Sequence, residues 1–491
     1  MNSIVEAVAR QAELSSYKIC IADKNKGYTY AEIWEKIQNI AQKFINIKIE
    51  RGDRILVECS QDFRFLVCKF ACELIGAIFV PVEYKASLEK VNMILEDTDA
   101  KLFLYKTEYD LVVKKIEIKE FFQVKLEDIK FKFLFPSREE TAEILYTTGT
   151  TGRAKGIEIT NDNNIAIAEN IIKGTKMKPN NVELIPLPLC HSHGLRCCYA
   201  NLLNGSTIVL SDGISHIKSI FEMINLYKVT AIDLSPSAIL ILLKLSKGRF
   251  FEVNVQMDYI QIGTAILQED TKKVLISGFP NTRLYNFYGS TESGRTCVLD
   301  FSKERDRHGC IGKPTINAKF IVTDENRKRI SSSKEKVGLL ASAGPMNMKG
   351  YWKKPELTKQ VMQNEFFYTN DIGYIDEEGF IYILGRKDDI INCGGIKIAP
   401  DEIEESVKKY KEIIDCACVP KEDKVTGQTP KVFVVVYNKE KFQKKELIKF
   451  LEKYIDNNKI PKDIEVIDEI PRTYNGKIQR VKLMEQKNTI I

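Results

Sequence analysis

Short apolar segments alternate with segments of helical period over most of the first 300 residues of this chain. Residues 54–58 have the pattern of a buried strand, residues 63–75 that of a helix, and residues 77–82 that of the next strand. A second run of this kind extends from residue 163 to residue 234. Such alternation is typical of α/β layers around a largely parallel sheet, because parallel strands need a crossover between them. We therefore predict an α/β fold.

The pattern changes twice further along the chain. From residue 309 to about residue 384, short strands separated by Gly, Asn and Asp turns indicate a β-rich subdomain. After residues 385–388 a small α+β pattern runs to the end. A chain of 491 residues is too long for one compact core. We predict a large domain of residues 1–386, with two α/β layered subdomains and the β-rich subdomain, and a small C-terminal domain of residues 387–491.

Composition excludes several classes of protein. A net charge of +6, from 73 basic and 67 acidic side chains, is too small a surplus to indicate nucleic-acid binding. The N-terminal residues lack the pattern of a signal peptide, and no apolar stretch approaches the length of about 20 residues that a membrane span needs. Twelve cysteines without a Cys-x-x-Cys pair, and only four histidines, indicate reduced core thiols rather than a metal cluster. We expect a cytoplasmic protein.

Residues 146–156 form the first candidate site, with four threonines, three glycines and one lysine. Glycine lets backbone N–H groups approach anionic oxygens, threonine adds hydroxyl donors and lysine adds a positive charge, so this composition suits a polyphosphate. The flanking residues predict a β-hairpin. A Walker loop is excluded because Lys155 is followed by Gly156 rather than by Ser or Thr. An ordinary mobile hairpin turn is the alternative. The candidate phosphate ligands are Thr147, Thr148, Gly149, Thr150, Thr151, Gly152 and Lys155.

Four later segments are each ambiguous alone. Residues 285–292 place an aromatic ring, an amide, a hydroxyl and a carboxylate in what we predict to be a loop after a strand, which suits a base, a phosphate and Mg²⁺, but a capped turn would look the same. Residues 368–373 contain Asp371, which suits a ribose or a plain turn. The remaining two are residues 385–404 and residues 471–480, the latter with Lys477 in an Asn-Gly turn.

In this order and at these separations, the five segments resemble the adenylate-forming superfamily of acyl- and aryl-CoA synthetases, peptide-synthetase adenylation domains and luciferases. Further similar segments are residues 28–33, 76–81, 188–194 and 309–314, so the resemblance covers nearly the whole chain.

The resemblance implies a two-step reaction with ATP and Mg²⁺. A carboxylate attacks the α-phosphate of ATP to give an acyl-adenylate and pyrophosphate, and the thiol of coenzyme A, or of the phosphopantetheine of a carrier protein, then displaces AMP. Residues 147–155 would hold the β- and γ-phosphates. The other implied roles are adenine stacking by Tyr288, the base pocket by Asn286, Gly263, Thr264 and Ala265, the α-phosphate by Thr291, Mg²⁺ by Glu292, the ribose by Asp371 and Arg386, and the acyl carboxylate by His191. The alternative for His191 is a core histidine whose ring nitrogens make hydrogen bonds within the protein.

The resemblance also implies that the C-terminal domain moves. Lys477 would lie between the carboxylate and the α-phosphate and screen their repulsion, an electrostatic effect typically worth about 3 to 4 kcal/mol. The same lysine would obstruct the incoming thiol, so the small domain would rotate about Asp388 and present the loop of Gly394 and Gly395, with Lys397 nearby, as a thiol tunnel.

Some positions depart from the family pattern. Ala154 stands in place of a proline, and Lys397 stands where several synthetases carry arginine. Asn370 replaces a glycine before Asp371; asparagine tolerates positive φ, so Asp371 would still be presented. Leu339 replaces a glutamate, a change for which we have no physical account. None of these positions is a reacting group.

The substrate is predicted only by class. The candidate walls of the acid pocket are mostly small or apolar and suit a fatty or aromatic acid; they are Leu195, Ser235, Pro236, Ser237, Gly263, Thr264, Phe287, Gly289 and Gly294. Amino-acid-activating members of the superfamily carry an aspartate that pairs with the α-ammonium, whereas no carboxylate follows the strand that ends at Leu234 here, so the resemblance disfavours an α-amino acid. The main hypothesis is an acyl-CoA or aryl-CoA ligase. The alternatives are an adenylating enzyme that loads an acyl or peptidyl carrier protein and a catalytically silent nucleotide-binding regulator.

Overall fold

The computed structural model describes residues 1–123, 133–148, 154–214, 216–265, 267–387, 389–393, 396–423, 426–455, 459–472 and 478–485. The chain divides into two compact units, Met1–Phe320 with Ser342–Phe367, and Ile321–Ala341 with Tyr368–Ile491. The second unit thus begins earlier in the chain than residue 387. Asp388 lies outside the described residues, so the boundary at residue 386 and the hinge stay predictions.

Helices and short strands alternate along the chain. Residues 4–160 contribute α1 (Ile4–Leu14), β1 (Ile19–Ala22), β2 (Gly27–Thr29), α2 (Tyr30–Asn46), β3 (Arg54–Glu58), α3 (Phe63–Ile75), β4 (Ile78–Val82), α4 (Leu88–Thr98), β5 (Leu102–Tyr105), β6 (Lys115–Glu117), α5 (Ile118–Gln123), β7 (Thr141–Thr148) and β8 (Ala154–Thr160). Residues 161–314 contribute α6 (Asn161–Thr175), β9 (Val182–Ile185), α7 (Ser192–Leu203), β10 (Thr207–Leu210), α8 (Ile217–Tyr227), β11 (Ala231–Leu234), α9 (Pro236–Leu245), α10 (Arg249–Glu252), a 3₁₀ turn (Val253–Val255), β12 (Tyr259–Ile262), α11 (Glu269–Gly278), β13 (Arg283–Ser290), β14 (Gly294–Asp300) and β15 (Cys310–Pro314).

The rest of the chain is richer in strands. It contributes β16 (Lys319–Thr323), β17 (Gly338–Ala343), β18 (Gly350–Tyr351), α12 (Pro355–Val361), β19 (Met362–Gln363), β20 (Phe366–Ile375), β21 (Ile381–Arg386), β22 (Ile391–Cys393), β23 (Ile396–Ile398), α13 (Pro400–Lys408), β24 (Ile413–Asp423), β25 (Gly427–Val436), α14 (Lys444–Leu451), β26 (Asp463–Val466) and α15 (Arg480–Glu485). The predicted β-rich segment and the small α+β pattern after it are both present.

Local sequence signals explain several boundaries. Helix α3 has the predicted bounds, and it begins because the Asp62 side chain accepts a hydrogen bond from the backbone N–H of Arg64. Helix α2 begins at a capping box in which Thr29 and Glu32 satisfy each other's backbone N–H groups. This capping box lies in residues 28–33, the segment that resembles the opening helix of the superfamily.

The first unit contains two sheets. In one, the strands follow the order β18-β8-β7-β4-β3-β5-β6. In the other, the order within this unit is β15-β14-β13-β12-β11-β9-β10-β1-β2, and the pairings from β13 to β1 are parallel. Helices of this unit, including α3 and α7, bury an apolar core against the strands. The predicted α/β class with a largely parallel sheet is confirmed.

The second unit contains two smaller sheets. The strand orders are β16-β17-β20-β21 and β23-β22-β25-β24, with β26 parallel to β25. A separate apolar core, with Ile403, Val432 and Leu447 fully buried, supports the second of them. Ten of the twelve cysteines of the chain are buried. In the described part of the chain, no helix combines the length and the apolar character that crossing a bilayer requires.

Candidate active site

Parallel strands of the first unit end at the same edge of one sheet, and several of the predicted site residues of that unit lie at or just after these ends. The pairs Leu234 with Ile262 and Ile262 with Asn286 set β11, β12 and β13 in register. Strand β9 lies between β10 and β11. The next strand along the chain, β10, lies on one side of β9 and the following strand, β11, lies on its other side, so the strand order reverses at β9. Ligands of α/β sheets bind at the carboxyl ends of strands beside such a reversal.

The strands on either side of the predicted phosphate-binding segment pair antiparallel, as expected of a β-hairpin. Strands β7 and β8 pair up to Thr147 with Lys155 and Thr148 with Ala154. The residues between them, 149–153, lie outside the described residues, as does the side chain of Thr148. The ammonium of Lys155 lies 5.4 Å from the centre of the Tyr351 ring. The hairpin therefore brings Lys155 to a residue that the sequence analysis did not single out.

Tyr351 also contacts the predicted magnesium ligand. Its hydroxyl donates a hydrogen bond of 3.2 Å to Oε1 of Glu292. Its short strand β18 pairs antiparallel with β8, with Tyr351 opposite Ile157, and the Met348 N–H binds the carbonyl of Glu292 at 2.7 Å. Only the aromatic pair at residues 351–352 marks this place in the sequence, and no local pattern links it to the other two segments.

The segment of residues 285–292 is not the loop that we predicted. Strand β13 continues to Ser290 and turns directly into β14, with Thr291 and Glu292 in the turn. The tight turn is possible because Gly289 lacks a side chain: a Cβ there would lie 1.7 Å from the carbonyl oxygen of Gly294. Gly289 and Ser290 are residue types that favour turns, but cross-strand pairing outweighs that local preference here.

Asn286 and Tyr288 lie two residues apart on strand β13 and therefore share one face of the sheet. The Asn286 side chain is buried, and its Oδ1 has no hydrogen-bond partner. Tyr288 is half-buried. Thr264 and Ala265 are exposed just beyond the end of β12, and Thr264 has a φ of +77°. The predicted base-pocket residues thus lie at one edge, with a buried amide oxygen available to an N–H donor.

A cluster of polar side chains lies at Gly263, the residue that follows β12. A Cβ at this position would lie 2.3 Å from the His193 ring and 3.0 Å from Nη1 of Arg295, so glycine is required here. Nε2 of His193 lies 2.7 Å from Oδ1 of the fully buried Asp233. The guanidinium of Arg295 lies over the Phe287 ring at 5.0 Å, and its Nη1 has no hydrogen-bond partner. Gly263, one of the residues predicted to line a small and apolar acid pocket, therefore has polar side chains against it, which together we call the polar wall.

His193, Asp233 and Cys197 also form a group of metal-type ligands in the described residues. Nη2 of Arg295 donates to Sγ of Cys197 at 3.3 Å, which places a permanent cation against the group. Burial raises the pKa of the Cys197 thiol and lowers that of His193. A protonated thiol beside a guanidinium does not suit a metal ion.

His191, the predicted pocket histidine, is partly buried at the start of α7, and its Nε2 has no hydrogen-bond partner. Burial acts to lower its pKa, but the hydrogen bond and charge of Cys190, together with the charge of Glu83, outweigh it and raise the pKa. Nε2 lies 3.9 Å from Oε1 of Glu83. His191 is thus not a fully satisfied core histidine.

The predicted ribose ligands face each other within the second unit. Asp371 on β20 pairs with Arg386 on β21, and Nε of Arg386 lies 3.5 Å from Oδ1 of Asp371. Asn370 has a φ of +63°, the conformation that we expected from its replacement of glycine. Strand β20 continues through this position to Asp371 and beyond.

Several predicted residues lie outside the described part of the chain. They are Gly149, Thr150, Thr151, Gly152, Asp388, Gly394, Gly395 and Lys477, and the side chain of Lys397 is also not described. Their roles stay predictions. On either side of residues 473–477, Arg472 forms a bidentate ion pair with Asp415, and Arg480 pairs with Asp401 and Glu404 at 2.8 Å each.

Comparison with known proteins identifies the family. The model of the AMP-binding enzyme family matches residues 8–352, and the model of the AMP-binding enzyme C-terminal domain matches residues 402–477. The chain belongs to the AMP-binding enzyme family. This membership confirms the predicted superfamily and the predicted activity, ATP-dependent activation of a carboxylic acid followed by thioester formation.

Individual relatives of this AMP-binding enzyme are similar over nearly their whole length. A 2-succinylbenzoate–CoA ligase from Oceanobacillus iheyensis is 27% identical, covering 97% of this chain and 98% of the relative. A feruloyl-CoA synthase from an Amycolatopsis species is 24% identical, covering 96% of each.

Solved structures confirm the fold. The o-succinylbenzoate CoA synthetase of Bacillus subtilis, in complex with its acyl-adenylate intermediate, has a TM-score of 0.88 at 24% identity and covers 97% of each chain. ATP-bound MatB from Rhodopseudomonas palustris has a TM-score of 0.89 at 23% identity, covering 100% of this chain and 99% of MatB. The predicted cofactors, ATP, Mg²⁺ and coenzyme A, agree with the names and complexes of these relatives, which include one solved with ATP and magnesium.

Proposed function

We propose that this protein is an acid–CoA ligase that activates an aromatic carboxylic acid bearing a further oxygen-containing group. The observation that carries the proposal is that Lys155 and Glu292 both contact Tyr351, the first through the ring and the second through the hydroxyl. A cation for phosphate and a carboxylate for a metal ion, far apart in sequence, are thereby held in one neighbourhood. These are the groups that a site for a magnesium nucleotide needs.

The buried Oδ1 of Asn286 supports the placement of adenine. A buried acceptor without a partner is costly, so such a group is usually matched by a ligand. The exocyclic amino group of adenine is a donor of the right kind, and Tyr288 on the same face offers a ring for stacking. The ribose roles that the resemblance implies for Asp371 and Arg386 stay predictions, and within the second unit Nε of Arg386 lies 3.5 Å from Oδ1 of Asp371.

The chemistry assigned to this chain is electrostatic. Lys155 neutralises charge on the terminal phosphates, and Lys477 screens the repulsion between the acid and the α-phosphate while they approach. Glu292 provides a carboxylate oxygen of the type that Mg²⁺ takes, and the bound ion adds further neutralisation of the phosphates. His191, with its raised pKa, favours a carboxylate beside its ring.

The polar wall at Gly263 supports the choice of acid. The guanidinium of Arg295 is buried with one nitrogen unpartnered, and it is fixed by Phe287 and Cys197. A plain hydrocarbon chain would leave that nitrogen unsatisfied, whereas a carbonyl, hydroxyl or carboxylate oxygen would accept from it. The acids named in both curated relatives are aromatic.

An acid panel tests this choice. Pyrophosphate release is measured with 2-succinylbenzoate, ferulate, unsubstituted benzoate and a long-chain fatty acid, and we expect one of the two substituted acids to give the highest kcat/KM. Replacement Arg295→Leu is expected to reduce the preference for the substituted acid over benzoate by about tenfold or more, since a hydrogen bond to a charged donor is lost. Arg283→Leu is the matched control, because Arg283 begins β13 whereas Arg295 pairs with Gly289 near the end of that strand. Preference for the fatty acid, or an unchanged preference in Arg295→Leu, would contradict the proposal.

The thiol acceptor is tested separately. Thioester formation is compared with coenzyme A and with a phosphopantetheinylated carrier protein, and we expect coenzyme A to support turnover. Turnover only with the carrier protein would favour the free-standing adenylating enzyme. Binding of ATP without pyrophosphate release for any acid would favour the silent regulator.

A further inference from the structure

Tyr351 joins two parts of the nucleotide site that no local sequence pattern connects. It belongs to strand β18, at the edge of the sheet that carries the phosphate-binding hairpin. Its hydroxyl reaches Glu292 in the β13–β14 turn, and its ring lies beneath the ammonium of Lys155. Only 7% of the residue is exposed, so both contacts are shielded from bulk water.

We infer that Tyr351 is a positioning residue for the nucleotide site, orienting Glu292 toward the metal ion through its hydroxyl and holding Lys155 toward the phosphates through its ring. The inference rests on the proposed function.

The carboxylate of Glu292 has two oxygens, and the Tyr351 hydroxyl occupies Oε1. Such a bond restricts rotation of the carboxylate and leaves Oε2 as the oxygen to offer a metal ion, the usual effect of groups that hydrogen-bond a ligating carboxylate. The backbone fixes the same residue, because the carbonyl of Glu292 accepts from the Met348 N–H, three residues before Tyr351. The turn and strand β18 are thus tied together by both backbone and side chain.

The contact with Lys155 acts through the ring rather than the hydroxyl. An ammonium within about 6 Å of an aromatic centre is attracted by the ring face, and the attraction grows when water is excluded. Tyr351 also fixes the hairpin through its backbone neighbours, since the Trp352 N–H binds the carbonyl of Gly156 at 2.8 Å. A mobile lysine side chain would otherwise lose rotamer freedom on binding ATP.

Two substitutions separate these contacts. Tyr351→Phe removes the hydroxyl and keeps the ring, and Tyr351→Leu removes both. ATP binding is measured by calorimetry at a series of Mg²⁺ concentrations with no acid present, so that no turnover occurs. We expect Tyr351→Phe to raise the Mg²⁺ concentration for half-maximal binding by about tenfold, as is typical for partners of metal ligands.

Binding of ATP in EDTA reports the second contact. It is expected to be unchanged in Tyr351→Phe and weakened about threefold in Tyr351→Leu, because only the latter removes the ring beneath Lys155. Tyr30→Phe is the matched control: it deletes another buried phenol hydroxyl, which donates to the Ser206 carbonyl at 2.7 Å, and it should alter neither measurement.

A double substitution keeps the test decisive if Tyr351→Phe also lowers the melting temperature. In a Glu292→Gln background, Tyr351→Phe should cause no further change in Mg²⁺ dependence, since its effect passes through that carboxylate. Additive effects, or a Tyr351→Phe protein with wild-type Mg²⁺ dependence, would overturn the inference. A wild-type protein that binds no ATP would instead overturn the proposed function itself.

Discussion

Glu183 is a fully buried glutamate at the centre of the parallel sheet, and its titration predicts how stability depends on pH. Burial, followed by the negative charge of Asp233, raises its pKa from 4.5 to about 7, although Asn201, Gln261 and Tyr259 donate hydrogen bonds to it. The folded protein therefore binds this proton more tightly than the unfolded chain does. Its contribution to stability falls as the pH rises from 4.5 through about 7 and is constant above that range.

The size of the effect follows from the two pKa values. Each pH unit between them corresponds to about 1.4 kcal/mol, so ionised Glu183 costs the folded protein about 3 kcal/mol. Replacement Glu183→Gln removes the charge and keeps the shape. In wild type, Nε2 of Gln261 donates to Glu183, and a flip of this amide would turn its unpartnered Oε1 toward the new NH2 group as an acceptor. Relative to wild type, the variant should gain about 2 kcal/mol between about pH 5 and about pH 8.

Urea unfolding of both proteins across this pH range measures the gain. Glu143→Gln is the matched control, because Glu143 is an equally buried glutamate whose pKa is lowered. Burial opposes that shift, but Arg196 and Lys69 outweigh it, so removing the charge should destabilise the protein by about 3 to 5 kcal/mol at neutral pH. A Glu183→Gln protein whose stability differs from wild type by the same amount at every pH would refute the reasoning.

Two further predictions concern the ribose segment and the C-terminal lysine. Asn370→Ala should be less stable than Asn370→Gly by about 1 to 2 kcal/mol and should have the higher KM for ATP, because both variants lose the asparagine side chain and only the alanine resists a φ of +63°; equal melting temperatures for the two variants would contradict this. Lys477→Ala should abolish pyrophosphate release yet retain thioester formation from supplied acyl-adenylate, and equal loss of both half-reactions would refute the two-position account.

Much of the fold could be predicted because its signals are local. Helix α3 has the predicted bounds since its apolar residues end at Ile75 and a capping aspartate precedes it. The antiparallel pairing of β7 and β8 follows from two short apolar segments on either side of a Gly/Thr-rich sequence. Asn370, just before Asp371, adopts a positive φ, the backbone conformation that glycine adopts most readily and that asparagine tolerates.

The parts of the site that were missed depend on distant segments. Tyr351 reaches Glu292 only because β18 pairs with β8, and nothing in residues 350–352 encodes that pairing. The polar wall arises where His193 from α7 and Arg295 from β14 meet at Gly263, a contact that requires the sheet order. Residues 285–292 were predicted as a loop, but tertiary pairing makes residues 285–290 part of a strand.

Acid-dependent exchange of radioactive pyrophosphate into ATP, in the absence of any thiol, tests the central claim most directly. The reverse of acyl-adenylate formation is the only route to labelled ATP in this account, so exchange should require both Mg²⁺ and an aromatic acid and should disappear in Lys477→Ala. A wild-type protein that binds ATP but exchanges no pyrophosphate with any acid of the panel would contradict the account.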